Sequence, residues 1–197
     1  MKLLLATTSA GKLRELRAVL EGLEIDLVTL DEWPEIAPPA ETGHTFLSNA
    51  AEKALYYHRA TGIAALGEDS GLVVDALGGE PGVHSARWLG ESTTYDVKNR
   101  RLLESLRAVP GEERTARYIC AIALADDGQI VFECAESCEG RIATAPRGTG
   151  GFGYDPIFFF PPLGKCFAQM TAEEKNAVSH RGKAMARLST FLRDRPR

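Results

Sequence analysis

Cysteine is scarce in this chain, and its spacing fits no metal site. Cys120, Cys134, Cys138 and Cys166 are the four cysteines among 197 residues, and none forms a CxxC pair or stands at zinc-ligand spacing from a histidine. Cys134 and Cys138 share a period-two apolar face, which favours buried thiols in a strand. We therefore expect core cysteines. Glu136 interrupts this face and requires an edge position or a partner.

The chain also lacks an excess of positive charge and any long hydrophobic run. Its 23 lysine and arginine residues are outnumbered by 27 aspartate and glutamate residues, which argues against a surface for nucleic acid or an anionic membrane. The apolar start, residues 1–5, is too short for a signal sequence or a membrane span. We expect a cytoplasmic protein without nucleic-acid or membrane partners, folded as a single domain over residues 1–197.

A strand, a polar turn and a helix open the chain. Residues 2–6 predict a buried strand, and the leucine spacing from Leu13 to Leu23 predicts a helix. Between them, Thr7 to Lys12 places hydroxyls and a lysine at a helix start, where backbone N–H groups favour phosphate. The turn is not a Walker A loop, which needs a second glycine. A capped helix start without a ligand is the alternative.

A long helix with a partly polar face is predicted from residue 45 to about residue 61. Asn49 and Lys53 lie one turn apart on the face that also carries the apolar residues. Because an unpaired buried ammonium group is costly, we expect Lys53 to meet an anion. The alternative is that its side chain extends to water.

Two adjacent acids stand between short apolar runs at residues 63–66 and 72–77. The flanking glycines predict a turn that carries Glu68 and Asp69. With Glu41 upstream, these carboxylates offer the oxygen ligands that Mg²⁺ prefers when it also binds substrate phosphates. A solvated turn without a metal is the alternative.

A glycine-rich loop at residues 147–156 has the strongest appearance of a binding site. Four glycines in six residues allow a ligand to approach the backbone, and Phe152 and Tyr154 offer flat apolar faces, which together suit a nucleotide. A bulged packing turn is the alternative. The loop follows a predicted hairpin, residues 116–125 and 129–142 around an Asp-Gly turn. Further helices are predicted at residues 95–109 and from residue 182 to about residue 193.

Six ordered motifs, spread over nearly the whole chain, resemble those of the inosine triphosphate pyrophosphatase family. They are Ala6-Thr7-x-x-x-Gly11-Lys12-Leu13-x-Glu15-Leu16, Glu41-Thr42-Gly43-x-Thr45-Phe46-x-x-Asn49-Ala50-x-x-Lys53-Ala54, Glu68-Asp69-Ser70-Gly71-Leu72, Pro81-Gly82-Val83-x-Ser85-Ala86-Arg87, Gly150-Gly151-Phe152-Gly153-Tyr154-Asp155-Pro156 and Glu174-Lys175-Asn176-x-x-Ser179-His180-Arg181. The resemblance implies an α/β fold with an elongated mixed central sheet flanked by helices, two lobes with an active-site cleft between them, and a homodimer.

The resemblance also implies roles for individual residues. Glu41 and Asp69 would hold Mg²⁺, Asp69 would accept the proton of the attacking water, and Glu68 is a candidate to share either role. The residues implied in triphosphate binding are Thr7, Thr8, Ser9, Ala10, Gly11, Lys12, Lys53, Ser70 and Arg87. Those implied in the base pocket are Phe152, Gly153, Tyr154, Asp155, Lys175, His180 and Arg181. The chain departs from the family at Ser9, usually asparagine, and at His84, commonly tyrosine.

The implied reaction is hydrolysis of deaminated purine nucleoside triphosphates to the monophosphate and pyrophosphate. Water deprotonated by Asp69 would attack the α-phosphorus, while Mg²⁺ and lysines meet the charge on the leaving pyrophosphate. Hypoxanthine and xanthine have a hydrogen-bond acceptor at O6 and a donor at N1. Lys175 or Arg181 could donate to O6, and Asp155 or its neighbouring backbone could accept from N1. The alternatives are a Maf-like pyrophosphatase for pyrimidine or modified nucleotides and a nucleotide-binding regulatory module without hydrolysis.

Overall fold

The computed structural model describes residues 1–194 and confirms the mixed α/β class. In these residues, seven strands form one sheet, and helices flank it. The strands are β1 (Lys2–Leu5), β2 (Asp26–Thr29), β3 (Ala64–Val74), β4 (Thr115–Asp126), β5 (Gln129–Ile142), β6 (Phe158–Phe160) and β7 (Lys165–Cys166). Their order in the sheet is β2-β1-β3-β4-β5-β6-β7. The helices are α1 (Ala10–Leu20), α2 (Phe46–Thr61), α3 (Tyr95–Ser105), α4 (Ala172–Val178) and α5 (His180–Asp194).

The sheet is mixed in strand direction. Strand β1 pairs in parallel with β2 and with β3, whereas β6 pairs antiparallel with β5 and with β7. The predicted hairpin between β4 and β5 is confirmed. Asp127 and Gly128 turn its corner with φ angles of 54° and 77°, the left-handed values that an Asp-Gly turn requires.

The described residues divide into two compact units, each with its own hydrophobic core. Unit 1 comprises Met1–Asp69, Cys120–Glu136 and the described residues from His180 onward, and unit 2 comprises Ser70–Ile119 and Ser137–Ser179. In unit 1, apolar side chains of β1, β3, β4, α1 and α5 pack together. In unit 2, Tyr118, Phe158 and Phe167 form an aromatic centre with ring centroids 4.7 to 5.7 Å apart.

The acids predicted in a turn lie instead within a continuous buried strand. Strand β3 runs without interruption from Ala64 to Val74, so the turn prediction for Glu68 and Asp69 is wrong. The glycine before them serves close packing: a Cβ atom on Gly67 would overlap the carbonyl oxygen of Ala50 and lie 2.7 Å from the backbone nitrogen of Ala54. Helix α2 therefore packs against the backbone of β3, and the two carboxylates start from a rigid strand.

We expect Gly67→Ala to destabilise the protein, because the added methyl group forces α2 away from β3. Overpacking of this kind costs about 1–3 kcal/mol of unfolding free energy, measured by urea denaturation. Gly111→Ala is the matched control, since a Cβ atom there meets no atom within 4 Å. Equal stability of the two variants would contradict this role for Gly67.

The helix predictions hold for α2 and need correction at α3 and α5. Helix α2 begins after Thr45, whose side chain accepts a hydrogen bond from the backbone nitrogen of Ser48. Helix α3 ends at Ser105, four residues before the predicted end, and it buries the polar residues Lys98 and Asn99. Helix α5 begins at His180, two residues before the predicted start.

The cysteine prediction is confirmed, since all four thiols are free and buried. Glu136, which interrupted the apolar face, has the partner that its position required: its carboxylate lies 2.9 Å from the guanidinium of Arg187. Among residues 1–194, no helix has the length and apolar character needed to cross a membrane.

Candidate active site

We call the three carboxylates of Glu41, Glu68 and Asp69 in unit 1 the acidic centre. Glu68 is only 1% exposed. One carboxylate oxygen, Oε2, lies 2.6 Å from Nζ of Lys12, and the other, Oε1, lies 3.0 Å from a guanidinium nitrogen of Arg181. The Cys120 thiol lies 3.5 Å from Oε1, and burial raises its pKa well above the usual range, so that the neutral thiol donates to the carboxylate. Glu68 is therefore held from both sides.

Arg181 connects three elements of unit 1. Its buried guanidinium pairs with Glu68 on β3 and also with Glu15 on α1, while the arginine itself stands in the first turn of α5. Burial acts to lower the pKa of Arg181, but the charges of Glu68 and Glu15 outweigh it and the pKa is raised. The structure thus places Arg181 in the acidic centre. The base-pocket role implied by the resemblance stays a prediction.

Asp69, next in the strand, is 5% exposed and accepts a hydrogen bond of 2.9 Å from the Asn49 amide. Burial raises the pKa of the Asp69 carboxyl above its usual value. The Asn49 hydrogen bond and the positive charges of Lys12 and Lys53 act in the opposite direction. A buried carboxylate that is oriented by an amide and has cations around it is a candidate general base.

Lys53 meets an anion, as its position on α2 predicted. Its ammonium group lies 2.6 Å from the Glu41 carboxylate and donates to the backbone carbonyl of Glu68 at 3.2 Å. Glu41 follows an irregular segment, and its charge contributes to the raised pKa of Asp69. Glu41 and Asp69 therefore lie within electrostatic reach of one another. Among residues 1–194, no three His, Cys, Asp or Glu side chains form a metal-binding cluster by themselves.

The predicted phosphate turn precedes α1 and is held by its own hydroxyls. Thr7 accepts a hydrogen bond from the backbone nitrogen of Ser9 at 3.2 Å, and Ser9 caps α1 by accepting from the backbone nitrogen of Lys12 at 3.5 Å. Thr8 and Ala10 are exposed. The structure therefore brings this turn to the acidic centre through the ion pair between Lys12 and Glu68.

In unit 2, the glycine-rich loop is organised by the buried carboxylate of Asp155. Its Oδ2 atom lies 2.6 Å from Nζ of Lys175 and accepts the backbone N–H of Phe152 at 2.8 Å. Tyr118 donates its hydroxyl to Oδ1 at 3.4 Å. The Lys175 ammonium also lies 4.6 Å from the centre of the Phe152 ring, a cation–π arrangement. We call residues 152–155 the base loop.

The other predicted residues of unit 2 have more varied positions. Tyr154 belongs to the core: its ring packs edge-on against Tyr95, and its hydroxyl donates to the Ser85 carbonyl at 3.0 Å. Gly153 has a φ angle of 69°, which favours glycine. Ser70 and Arg87 are half-buried. His180, predicted with this group, lies buried in unit 1.

Comparison with known proteins identifies the family. The sequence profile of the Ham1 family matches residues 3–191. The chain belongs to the Ham1 family. A Ham1 protein from Coxiella burnetii has a solved structure that covers 99% of this chain and 100% of its own, at 39% identity and a TM-score of 0.90.

Two relatives of this Ham1 chain have the name dITP/XTP pyrophosphatase. The protein from Geobacter sulfurreducens is 48% identical over 191 residues, which cover 97% of this chain and 96% of the relative. The protein from Thermus thermophilus is 50% identical over 198 residues, which cover 100% of this chain and 94% of the relative. These similarities extend over both units.

Proposed function

We propose that this protein hydrolyses the deaminated purine nucleotides dITP, ITP, XTP and dXTP to the monophosphate and pyrophosphate, which keeps them out of nucleic acids. The relatives named dITP/XTP pyrophosphatase support the reaction class. The observation in the structure that carries the proposal is the buried Asp69 carboxylate, which the Asn49 amide holds at 2.9 Å and on which the charges of Lys12 and Lys53 act, as suits a base that activates water near phosphates.

In this proposal, Asp69 takes the proton of the water that attacks the α-phosphorus. Asn49 orients the carboxylate through its hydrogen bond to Oδ2. Lys12 and Lys53 stabilise the negative charge that grows on the departing pyrophosphate, because ammonium groups in a partly buried site are weakly screened. The turn from Thr7 to Gly11 would bind phosphate oxygens through its backbone. Ser70 and Arg87 are the further triphosphate ligands that the family resemblance implies.

Magnesium fits the donor set of the acidic centre. Mg²⁺ is usually bound by one or two carboxylates together with substrate phosphates, rather than by a complete protein cage. Glu41 and Asp69 would supply those two carboxylates, and the charge of Glu41 acts on Asp69. When bound, Mg²⁺ supplies positive charge to the phosphate oxygens.

For the purine base of the nucleotide, we propose that Lys175 donates a hydrogen bond to O6 and that the purine packs against the ring of Phe152. The Asp155 carboxylate already receives donors from Lys175, Phe152 and Tyr118, which favours the loop backbone over this carboxylate as the acceptor for N1. Gly153 and Tyr154 would contribute backbone groups. His180 and Arg181, together with the homodimer, remain predictions from the resemblance.

We expect the protein, with Mg²⁺, to release pyrophosphate from dITP and XTP far faster than from dATP or dGTP. A base that leaves buried polar groups unpaired can be rejected by about 10⁴-fold in kcat/KM. EDTA should abolish the release, and added Mg²⁺ should restore it. Equal rates on all four nucleotides would refute the selectivity.

The same nucleotide panel separates the alternatives. A Maf-like pyrophosphatase would prefer pyrimidine or modified nucleotides. A regulatory module would bind dITP without releasing pyrophosphate.

A further inference from the structure

Two consecutive polar residues are buried in α3 without a role in the proposed chemistry. Lys98 is 1% exposed and Asn99 is 5% exposed, and both lie on the face that buries Leu102. A buried ammonium group costs stability unless it is compensated, so apolar residues would stabilise this face more simply. The contacts of Lys98 and Asn99 explain why polar residues occupy this face.

Lys98 holds a backbone carbonyl. Its Nζ atom donates to the carbonyl oxygen of Ala86 at 2.5 Å and lies 4.9 Å from the centre of the Tyr95 ring. Burial lowers the pKa of this ammonium group. Ala86 immediately precedes Arg87, the proposed triphosphate ligand. Lys98 therefore fixes the peptide from which Arg87 projects.

Asn99 holds the base loop in a similar way. Its amide donates to the carbonyl oxygen of Gly153 at 3.1 Å. The Tyr95 ring, one turn earlier on α3, packs edge-on against Tyr154 with the ring centroids 5.3 Å apart. Asn99 and Tyr95 thus contact Gly153 and Tyr154, the two central residues of the base loop.

We propose that Lys98 and Asn99 are positioning residues: α3 holds the carbonyls of Ala86 and Gly153 and so fixes Arg87 and the base loop before the nucleotide binds. The inference rests on the proposed roles of Arg87 and the base loop. Preorganised groups bind more tightly because the ligand does not have to order them. Lys98 acts on a triphosphate contact and Asn99 on a base contact, so their loss has separable effects.

The test compares two near-isosteric apolar variants, Lys98→Met and Asn99→Leu, with Arg101→Ala as the control. Arg101 lies on the same helix with its side chain 63% exposed. Dissociation constants for dITP and dIMP are measured by calorimetry in EDTA, which prevents turnover. Thermal unfolding is followed in parallel, and kcat for dITP is measured with Mg²⁺.

We expect Lys98→Met to weaken dITP binding about tenfold and dIMP binding little, with Tm equal to or above that of the wild type. Asn99→Leu should weaken both ligands about equally, again near tenfold. Unchanged affinities, or losses that simply follow a lowered Tm, would overturn the inference. The wild-type protein could bind dITP without releasing pyrophosphate while the two variants still differ in their relative loss of dITP and dIMP affinity. This result would refute the hydrolysis but support the positioning role.

Discussion

Asp69→Asn should reduce pyrophosphate release from dITP by about 10²–10⁴-fold, the usual contribution of a general base. An amide cannot accept the proton of the attacking water and is a poorer ligand for Mg²⁺. The local structure should survive, because the new side chain can still present an oxygen to the Asn49 amide. The measurement is a steady-state assay of kcat and KM for dITP, with dIMP affinity to show that the nucleotide still binds.

Asp127→Asn is the matched control for this variant. It makes the same chemical change at an exposed hairpin corner with a φ angle of 54°, which asparagine tolerates well. Its turnover should equal that of the wild type. If Asp69→Asn retained turnover and Glu68→Gln lost it, the base would be Glu68. The structure favours Asp69, since Lys12 and Arg181 already neutralise Glu68.

Local chemistry made part of this fold predictable. An Asp-Gly turn requires left-handed φ angles, and the hairpin corner at Asp127 and Gly128 has them. Thr171 and Glu174, three residues apart, form a capping box at the start of α4. In each case the residues that decide the structure are neighbours in sequence, so the local sequence is enough to predict it.

The arrangement of the acidic centre depends on contacts that sequence spacing cannot show. Arg181 pairs with Glu68 and with Glu15, which are 113 and 166 residues away. Gly67 was interpreted as part of a turn because glycine serves both turns and close packing, and only the neighbouring helix distinguishes them.

Lys98 and Asn99 were missed for a related reason. Polar residues in an amphipathic helix usually lie on its exposed face, and their burial is favourable only where carbonyls elsewhere in the chain accept hydrogen bonds from them. Those carbonyls belong to Ala86 and Gly153, and Gly153 is 54 residues away from Asn99. Polar residues at i−3 and i−4 from a buried leucine are the signal that could have identified them.

The second large effect is expected on stability, at the buried ion pair between Lys175 and Asp155. Their side chains are 7% and 3% exposed and 2.6 Å apart. Removal of one partner leaves the other charge buried, so Lys175→Met should lower the free energy of unfolding by about 3–5 kcal/mol in urea denaturation. The exposed pair of Lys165 and Glu174, with side chains 40% and 37% exposed, supplies the control. Lys165→Met should cost less than about 1 kcal/mol.

The double variant Lys175→Met with Asp155→Leu separates stability from recognition at this pair. Apolar residues of similar volume can replace a buried ion pair with little loss, so the double variant should recover much of the stability that Lys175→Met loses. It should not recover the preference for dITP over dATP, because no ammonium group remains to donate to O6 and the Phe152 N–H loses its acceptor. Recovery of both properties would mean that the pair serves packing alone and that the base is read elsewhere.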